Sequence, residues 1–472
     1  MSPNAGVPPG KCRGLTWESL KIPLILGAYY GIFLGQAKKR KQIMTPSVHA
    51  LRRRLKNSVK AFVTGSETLD RVYRKVRNKP EPHPPVRQIT RGPKFHWFGY
   101  YDKFETDPSD RFVLGMEIDF EHSSPRPDDV IRVGMIDLCD QDRWRELGTS
   151  SAWCWQQGCM LQWRPGSEKE VIWNDRENGE YVSRLLDVKT GALRTISHPI
   201  YALSPDGRYA IAPDFRRLGD TRPGYGYVGI PDPNRDVLAP KDSGIFKIDL
   251  NTGKQELLFS VADIVSLPYP HRDISKAKHW FNHLLFNPDG SRFVFLHRWR
   301  NPGEKWNMTR MITAAADGSD IRIPADSGWI SHFIWRDPGH ILAYAEATPG
   351  GRQGFYVFED STRKNVEEIA RGVVKSDGHC TYTPDKQWVL YDTYPDRSMN
   401  QHVYMYHVSR KRLVHVGVFA APRVYWGVPP QNEWRCDLHP RFTRDGKKVI
   451  IDSPYNGTGR QIHLIDVSAI VA

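Results

Sequence analysis

The 472-residue sequence contains 38 Gly and 35 Pro residues and many aromatic side chains, with 15 Trp, 20 Tyr and 19 Phe. This composition favours many short strands joined by turns over long helices. The formal net charge of +14 is concentrated in residues 1–93, which hold 19 Lys or Arg and 4 Asp or Glu. The rest of the chain holds 48 Lys or Arg and 49 Asp or Glu. The nearly neutral main body lacks the basic surface that nucleic-acid binding requires, so no nucleic-acid partner is expected.

Residues 1–93 are predicted to form a basic, partly helical extension, and residues 94–472 the main domain. Within the extension, residues 22–37 are a largely apolar run of 16 residues, shorter than the roughly 20 residues that span a bilayer. Residues 46–79 are predicted to form a basic amphipathic helix, because apolar residues recur every three or four positions. Prolines between residues 80 and 85 mark the end of the extension.

The positions of the charges and cysteines bear on where the protein resides. Dense positive charge follows the apolar run, whereas a signal peptide carries its charge before it. If the run spans a membrane, the positive-inside rule keeps the main domain in the cytoplasm. The six cysteines lack the paired spacing of a disulfide scaffold, so we expect free thiols in a reducing compartment. We therefore expect a cytoplasmic protein, with residues 1–79 either attached to the anionic inner face of the membrane or forming a basic tail.

One turn motif recurs seven times in the main domain, between a short apolar segment and a second strand. Pro presets the backbone of such a turn, and Gly supplies the positive φ that closes a hairpin. Further hairpin signals lie at Asp187–Ala192 and Asp249–Lys254. Spacings of about 40 to 80 residues are typical of four-stranded blades, so the sequence predicts an all-β fold, a seven-bladed β-propeller. The seven turns are Thr106–Asp110, Trp163–Gly166, Ser204–Gly207, Asn287–Gly290, Arg336–Gly339, Thr383–Lys386 and Thr443–Gly446.

Four of the predicted blades carry a histidine at one position, three residues before an aromatic residue. Such a repeat places the four side chains on adjacent blades at one mouth of the propeller channel. Converging neutral imidazoles suit a divalent transition metal, and the alternative is a hydrogen-bonded channel plug built on water. Asp377 and Asp437, each two residues before a histidine, are expected either to orient the rings or to belong to turns. The histidines are His283, His332, His379 and His439.

Short motifs spread over residues 93–470 resemble the oligogalacturonate lyases. They are Asn282–Phe286, Phe295–His297, Ser331–Trp335, Asp377–His379, Tyr391–Thr393 and Leu438–Phe442, with the first-blade segment His96–Lys103. The resemblance implies a seven-bladed propeller that cleaves a uronate-containing oligosaccharide or polysaccharide by β-elimination. It also implies a divalent metal ion, Mn-like with Zn or Ca as alternatives, on His283, His332 and His379, with His439 as a further candidate. The glutamine ligand of that family has no counterpart in the fifth blade of this sequence.

β-Elimination beside a uronate carboxylate requires neutralisation of that charge, a base for the C5 proton and an acid for the departing oxygen. The loop 214–227 follows the inner strand of blade three and offers these groups. Arg217 and Arg222 are candidates to bind the carboxylate, and Tyr225 is a candidate acid or base. The alternative is that the arginines pair with aspartates of the same loop.

Blades one, two and four supply the remaining candidates. His96 and Tyr101 of blade one are the other predicted acid and base. Gln156 and Gln157, before the inner strand of blade two, are predicted to bind sugar hydroxyls. Trp280 is predicted to stack on a sugar ring, with core packing as the alternative.

Two other functions remain open at this point. The first is a non-catalytic TolB-like propeller that binds glycan or protein at the cell envelope. The second is a glycoside hydrolase, which requires two carboxylates across its cleft. The hydrolase ranks third, after the lyase and the binding propeller, because no carboxylate recurs at the channel position.

Overall fold

The computed structural model describes residues 83–361, 365–427 and 432–472. Over these residues the chain forms seven four-stranded antiparallel sheets, which confirms the predicted seven-bladed propeller. The apolar run 22–37 and the predicted amphipathic helix 46–79 lie outside the described residues. No helix in the described ranges is long and apolar enough to cross a membrane.

A first strand, β1 (Val86–Gln88), precedes blade 1, and each blade then follows from its innermost to its outermost strand. Blade 1 contains β2 (Phe95–Trp97), β3 (Phe112–Ile118), β4 (Ile131–Asp137) and β5 (Arg143–Ser150). Blade 2 contains β6 (Gln162–Trp163), β7 (Glu170–Glu177), β8 (Glu180–Asp187) and β9 (Leu193–Ile196). Blade 3 contains β10 (Ala202–Leu203), β11 (Tyr209–Pro213), β12 (Gly244–Asp249) and β13 (Gln255–Ser260).

Blade 4 contains β14 (Lys278–Phe286), β15 (Arg292–Arg300), β16 (Met308–Ala315) and β17 (Arg322–Gly328). Blade 5 contains β18 (Ile330–Asp337), β19 (His340–Glu346), β20 (Gln353–Glu359) and β21 (Val366–Ile369). Blade 6 contains β22 (Cys380–Tyr382), β23 (Trp388–Asp392), β24 (Asn400–His407) and β25 (Arg412–Ala420). Blade 7 contains β26 (Arg441–Phe442), β27 (Lys448–Ser453) and β28 (Gln461–Asp466), with β1 as its outermost strand.

The ring is closed by strand exchange between the two ends of the domain. β1 pairs antiparallel with β28, with Val86 opposite Ile465 and Gln88 opposite His463. The first strand of the domain therefore completes the last blade, so that unfolding either end removes strands from the same sheet. Pairing also removes the open edge that β28 would otherwise present to solvent.

All seven predicted turns join the first and second strands of a blade. In blade 4, Gly290 has a φ of +74° and its N–H donates to the carbonyl of Asn287 at 3.0 Å. The Asp289 side chain accepts from the N–H of Ser291 at 2.9 Å, which fixes the turn from within. The two further hairpins at Asp187–Ala192 and Asp249–Lys254 join the third and fourth strands of blades 2 and 3.

Few helices interrupt the strands in the part of the chain that the structure describes. They are α1 (Phe215–Thr221), α2 (Val261–Val265) and α3 (Ser468–Val471), with a 3₁₀ turn at Arg423–Trp426. Helix α1 leaves the end of β11 and packs against β14. Its N-cap is Asp214, which accepts from the N–H of Arg216. The helix thereby fixes the loop that follows it beside blade 4.

The inner strands differ in length, and this shapes one mouth of the channel. β14 has nine residues and β18 has eight, whereas the other inner strands have two or three. The walls of blades 4 and 5 therefore extend beyond those of the other blades by several residues, each adding roughly 3.3 Å.

Candidate metal and substrate site

The structure brings the four predicted histidines together around one aromatic ring. The ring centroid of Tyr101 lies 5.2 to 6.3 Å from the centroids of all four imidazoles. The His379 centroid lies 4.2 Å from that of His332 and 4.2 Å from that of His439. All four side chains are buried. Adjacent blades thus form a histidine cluster, which comprises His283, His332, His379 and His439.

Backbone geometry turns two of these side chains out of the regular strand pattern. His283 has a φ of +53° and His439 a φ of +44°, a conformation uncommon for non-glycine residues. At His283 the pairing of β14 with β15 shifts register between Asn282 and Leu285. Met160, at the matching position of blade 2, also has a positive φ, of +55°. A positive φ therefore recurs at this position in three blades, and in two of them the residue is a histidine.

Carboxylates fix the orientation of two rings. Nδ1 of His332 lies 3.1 Å from Asp377, and Nδ1 of His379 lies 3.0 Å from Asp392. Each contact leaves Nε2 as the ring nitrogen available to a ligand, the usual arrangement behind a metal-bound histidine. Asp377 therefore does orient a ring, but it is the ring of His332 and not that of His379, which it precedes in sequence.

Several buried ring nitrogens have no hydrogen-bond partner within the described ranges. They are Nε2 of His379, Nε2 of His439 and both nitrogens of His283. Nε2 of His283 is 3.4 Å from a carboxylate oxygen of Asp102, which also lacks a hydrogen bond. Buried polar atoms are rarely left unpaired in proteins, and such atoms indicate an ion or a water.

Asp437 completes a set of donor atoms. One ligand atom each of His379, Asp437 and His439 lie within 4.8 Å of one another. Imidazole nitrogen with a carboxylate oxygen suits Mn²⁺, Zn²⁺ and related divalent ions. The residues present therefore fit a divalent metal ion, with Asp437 as a candidate ligand beside His379 and His439.

Burial and charge set the protonation of the cluster. Burial lowers the pKa of His283 to about 4 and the pKa of His439 well below its usual value, so both rings are neutral at pH 7. Burial also acts to lower the pKa of His379, but the carboxylates led by Asp392 outweigh it and raise that pKa. The surroundings of His379 thus favour a positive charge, which a metal ion would supply.

Three arginines lie beside the histidine cluster. The Arg222 guanidinium lies 3.8 Å from the ring centroid of Tyr225, and one of its nitrogens has no hydrogen-bond partner. Arg298 is held by Asn282 at 2.7 Å, and burial together with the charge of Arg222 lowers its pKa to about 9. Neither arginine forms an ion pair with a described carboxylate. Two guanidinium groups whose charges repel each other, and which have no carboxylate partner among the described residues, can donate to an anion.

The third arginine, Arg435, connects Asp437 to the aromatic residue beside the histidine cluster. Arg435 donates to both carboxylate oxygens of Asp437 at 2.8 Å and lies 5.2 Å from the ring centroid of Tyr394. Tyr394 in turn lies 6.2 Å from His332 and 5.8 Å from His379, measured between ring centroids. The partly exposed Arg435 and Tyr394 therefore stand between the buried histidines and the solvent.

Four other predicted site residues also lie near the histidine cluster. The hydroxyl of Tyr225 accepts from Arg435 at 3.5 Å, and the side-chain amide of Gln156 donates to the carbonyl of Arg435 at 2.8 Å. Gln157 donates to the hydroxyl of Tyr201 at 2.7 Å. Tyr101 contributes only its ring, because its hydroxyl both donates to and accepts from the backbone of Phe333 at 2.9 Å.

Two predicted catalytic residues are engaged elsewhere. His96 has one ring nitrogen 3.0 Å from Gln461 and the other 3.0 Å from Glu117, so neither is free to exchange a proton with a substrate. Arg217 is buried in α1 and donates to three backbone carbonyls and to Asp232. It serves as an anchor for the loop after α1, because four of its five N–H donors are used within the protein. Trp280 lies in the wall of a separate cavity, between α1 and blade 4.

Several site residues were missed from the sequence. Tyr100 has its ring centroid 4.9 Å from that of His283 and 5.3 Å from that of His439. Tyr100 lies in the first-blade motif and Asp392 in the Tyr391–Thr393 motif, so these motifs are the sequence features that indicate both residues. Arg298 and Arg435 belong to no repeat, so nothing in the sequence pattern indicated them.

Comparison with known proteins places the fold. No protein-family model matches the sequence, and no curated protein matches it. A structure described as oligogalacturonate lyase in complex with manganese matches with a TM-score of 0.58 and 14% identity, over 82% of this chain and 95% of that chain. The oligogalacturonate lyase of Vibrio parahaemolyticus matches with a TM-score of 0.56 and 15% identity, over 81% and 94%. The chain thus has the seven-bladed propeller fold of the oligogalacturonate lyases.

Proposed function

We propose that the protein is a lyase that cleaves a uronate-containing oligosaccharide or polysaccharide by metal-assisted β-elimination. One observation carries the proposal. Tyr100 has its ring centroid 4.9 Å from that of His283, both of whose ring nitrogens are unbonded, and the charges of Arg222 and Arg298 act on the same tyrosine. Neither arginine has a carboxylate partner among the described residues. A site for a cation next to a site for an anion is what a metal-assisted reaction at a carboxylate requires. The likeness of fold to structures named oligogalacturonate lyase supports the same reaction class.

The metal ion would be held by His379, His439 and Asp437, with His283 and His332 beside them. When bound, it supplies a Lewis acid that draws electron density from the uronate carboxylate. The burial that keeps His283 and His439 neutral leaves lone pairs available for coordination.

Arg222 and Arg298 bind the substrate carboxylate. Arg298 already donates from Nε to Asn282 and from Nη1 to Thr309, so its remaining Nη N–H groups and the N–H groups of Arg222 are the donors left for the two carboxylate oxygens. Compensation of the carboxylate charge makes the neighbouring C5 proton more acidic, because the charge that develops on its removal is stabilised.

Two tyrosines suit the proton transfers. Burial raises the pKa of Tyr100 well above its usual value, so this hydroxyl stays protonated and can donate to the departing oxygen. Tyr225 lies under the Arg222 guanidinium and within reach of Arg435, which places its oxygen among positive charges. We assign Tyr225 as the base, since His96 of blade one has both ring nitrogens engaged.

Metal analysis and an absorbance assay test the proposal together. Purified protein is expected to hold about one equivalent of a divalent metal, and His379→Ala and His439→Ala are expected to lose it. His340→Ala removes a partly exposed histidine of β19 outside the histidine cluster and serves as the matched control. Uronate oligosaccharides should give a rise in ultraviolet absorbance from the unsaturated product, and a chelator should abolish it. No absorbance change across oligosaccharides of several uronic acids would favour a non-catalytic binding propeller.

A further inference from the structure

A cavity of about 320 Å³ lies outside the histidine cluster, between the end of α1 and the extended inner strands of blade 4. Its volume is in the range of sites that take small ligands. The lining comes from the end of α1, the start of β14 and the loop after β15. The residues used below are Asp220, Lys276, Lys278, Trp280, Arg300 and Glu304.

The cavity carries unbalanced positive charge. Its two acidic residues are already neutralised, since Asp220 pairs with Lys278 and with Arg235, and Glu304 pairs with Arg272 outside the lining. Lys276 and Arg300 form no ion pair with any residue in the described ranges. Two cationic side chains therefore remain available to a negatively charged ligand.

The cavity also has an aromatic wall with an unused donor. Trp280 is only 1% exposed, and its indole Nε1 has no hydrogen-bond partner in the described part of the chain. The Arg300 guanidinium lies 5.8 Å from the Trp280 ring centroid. Trp306, on the loop that lines the cavity, is 72% exposed. Aromatic rings beside charged donors and an indole N–H suit a sugar ring that carries a carboxylate.

The cavity adjoins the carboxylate-binding arginines along the same pair of strands. Trp280 stands opposite Arg298 and Lys278 stands opposite Arg300, so these four side chains lie on one face of blade 4. A step of two residues advances about 7 Å along the strand. Arg300 also donates to the carbonyl of Thr221, the residue before Arg222. A chain bound at Arg222 and Arg298 therefore reaches this cavity with its next units.

We propose that the cavity is a distal subsite, which binds a second uronate unit of the same glycan through Arg300, Lys276 and the indole of Trp280. This inference rests on the proposed function, because that function supplies the polyuronate chain. The protein therefore selects substrates longer than a disaccharide, with negative charge on more than one unit.

Calorimetry of the metal-free protein tests the subsite without any need for turnover. The probes are oligogalacturonates and oligoglucuronates of two and four units. We expect the tetramer of one series to bind more tightly than its dimer, and Arg300→Ala and Lys276→Ala each to weaken tetramer binding about tenfold. Dimer affinity should change less than twofold. Trp280→Phe keeps a buried ring and removes only the N–H, so it tests the indole donor with little loss of packing. Lys254→Ala, on the exposed turn between β12 and β13, is the control.

Equal affinity for dimer and tetramer in both series overturns the subsite. An Arg300→Ala variant that loses affinity for the dimer and the tetramer by the same factor also overturns it. Arg300-dependent binding to vesicles that contain anionic lipid, without binding to either tetramer, overturns it in favour of a membrane contact. Tetramer binding that depends on Arg300, in a protein that produces no unsaturated product, retains the subsite and rejects the lyase.

Discussion

Nδ1 of His379 lies 3.0 Å from each of the two carboxylate oxygens of Asp392. The same carboxylate accepts from the backbone N–H of His379 at 2.6 Å and from that of His439 at 3.2 Å. Asp392 therefore orients one ring of the histidine cluster and fixes the backbone of another, across the junction of blades 6 and 7. Such a carboxylate is expected to set metal affinity without touching the ion.

Replacement of that carboxylate should weaken metal binding while the fold survives. Asp392→Asn keeps the size of the side chain but removes the charge that favours Nε2 of His379 as the free nitrogen. We expect metal affinity to fall about 10- to 100-fold, as measured by calorimetry with Mn²⁺ and Zn²⁺. Asp385→Asn, in the exposed turn of the same blade, is the matched control. Wild-type affinity in Asp392→Asn would contradict the role given to Asp392.

The arginine above the Tyr225 ring should affect turnover. Arg222→Ala removes a guanidinium that has no carboxylate partner among described residues, so we expect kcat/KM on a uronate oligosaccharide to fall about 10²- to 10³-fold. Arg222→Lys keeps the charge but not the paired donors and should recover part of the loss. Arg216→Ala, six residues earlier and paired with Asp214, is the control. Equal activity in Arg222→Ala and in the wild type would remove Arg222 from carboxylate binding.

A buried charged network at the closure of the ring should dominate stability. Arg441 donates to Glu105 at 2.7 Å and to Asp452 at 3.2 Å, which links blade 7 to blade 1. Arg441→Ala leaves two buried carboxylates without a cationic partner and is expected to lower the free energy of unfolding by about 3 to 5 kcal/mol. Arg111→Ala removes an exposed pair with Asp137 and should leave the free energy of unfolding nearly unchanged. Urea denaturation of both variants checks the difference.

A chain of neutral imidazoles in blade 4 should make stability depend on pH. Arg310 donates to Nδ1 of His297 at 3.0 Å, so the other ring nitrogen of His297, Nε2, carries the proton. This Nε2 donates to Nδ1 of His279 at 3.0 Å. Nε2 of His279 in turn donates to the backbone carbonyl of Ile274 at 3.0 Å. Burial, followed by the positive charge of Arg310, lowers the pKa of His297 well below its usual value, and burial lowers the pKa of His279 to about 4.

Below the unfolded pKa of about 6.5, the unfolded state binds protons that the folded network excludes. Stability is therefore present above pH 6.5 and is lost as the pH falls toward 4, at about 1.4 kcal/mol per pH unit for each such histidine. His279→Gln should reduce this slope in urea denaturation between pH 7 and pH 5. An unchanged slope in His279→Gln would contradict the assignment.

The placement of the seven turns could be predicted because their chemistry is local. An Asp side chain that accepts from a backbone N–H two residues later, followed by a Gly with positive φ, specifies a turn whatever the rest of the fold. Blade 4 shows this at Asp289 and Gly290. The position of the four histidines followed from the same repeat, since each precedes its turn by the same number of residues.

The sequence by itself determined the seven-bladed architecture and the histidines that meet in it, because both rest on patterns that repeat along the chain. The tertiary structure decided which polar groups remain free. Nδ1 of His96 meets the amide oxygen of Gln461, 365 residues away, and so donates its N–H to a structural contact. Arg441 meets Glu105, 336 residues away. Such partners lie on blades that only ring closure makes adjacent, and they decide which histidines and arginines of this protein can bind a ligand.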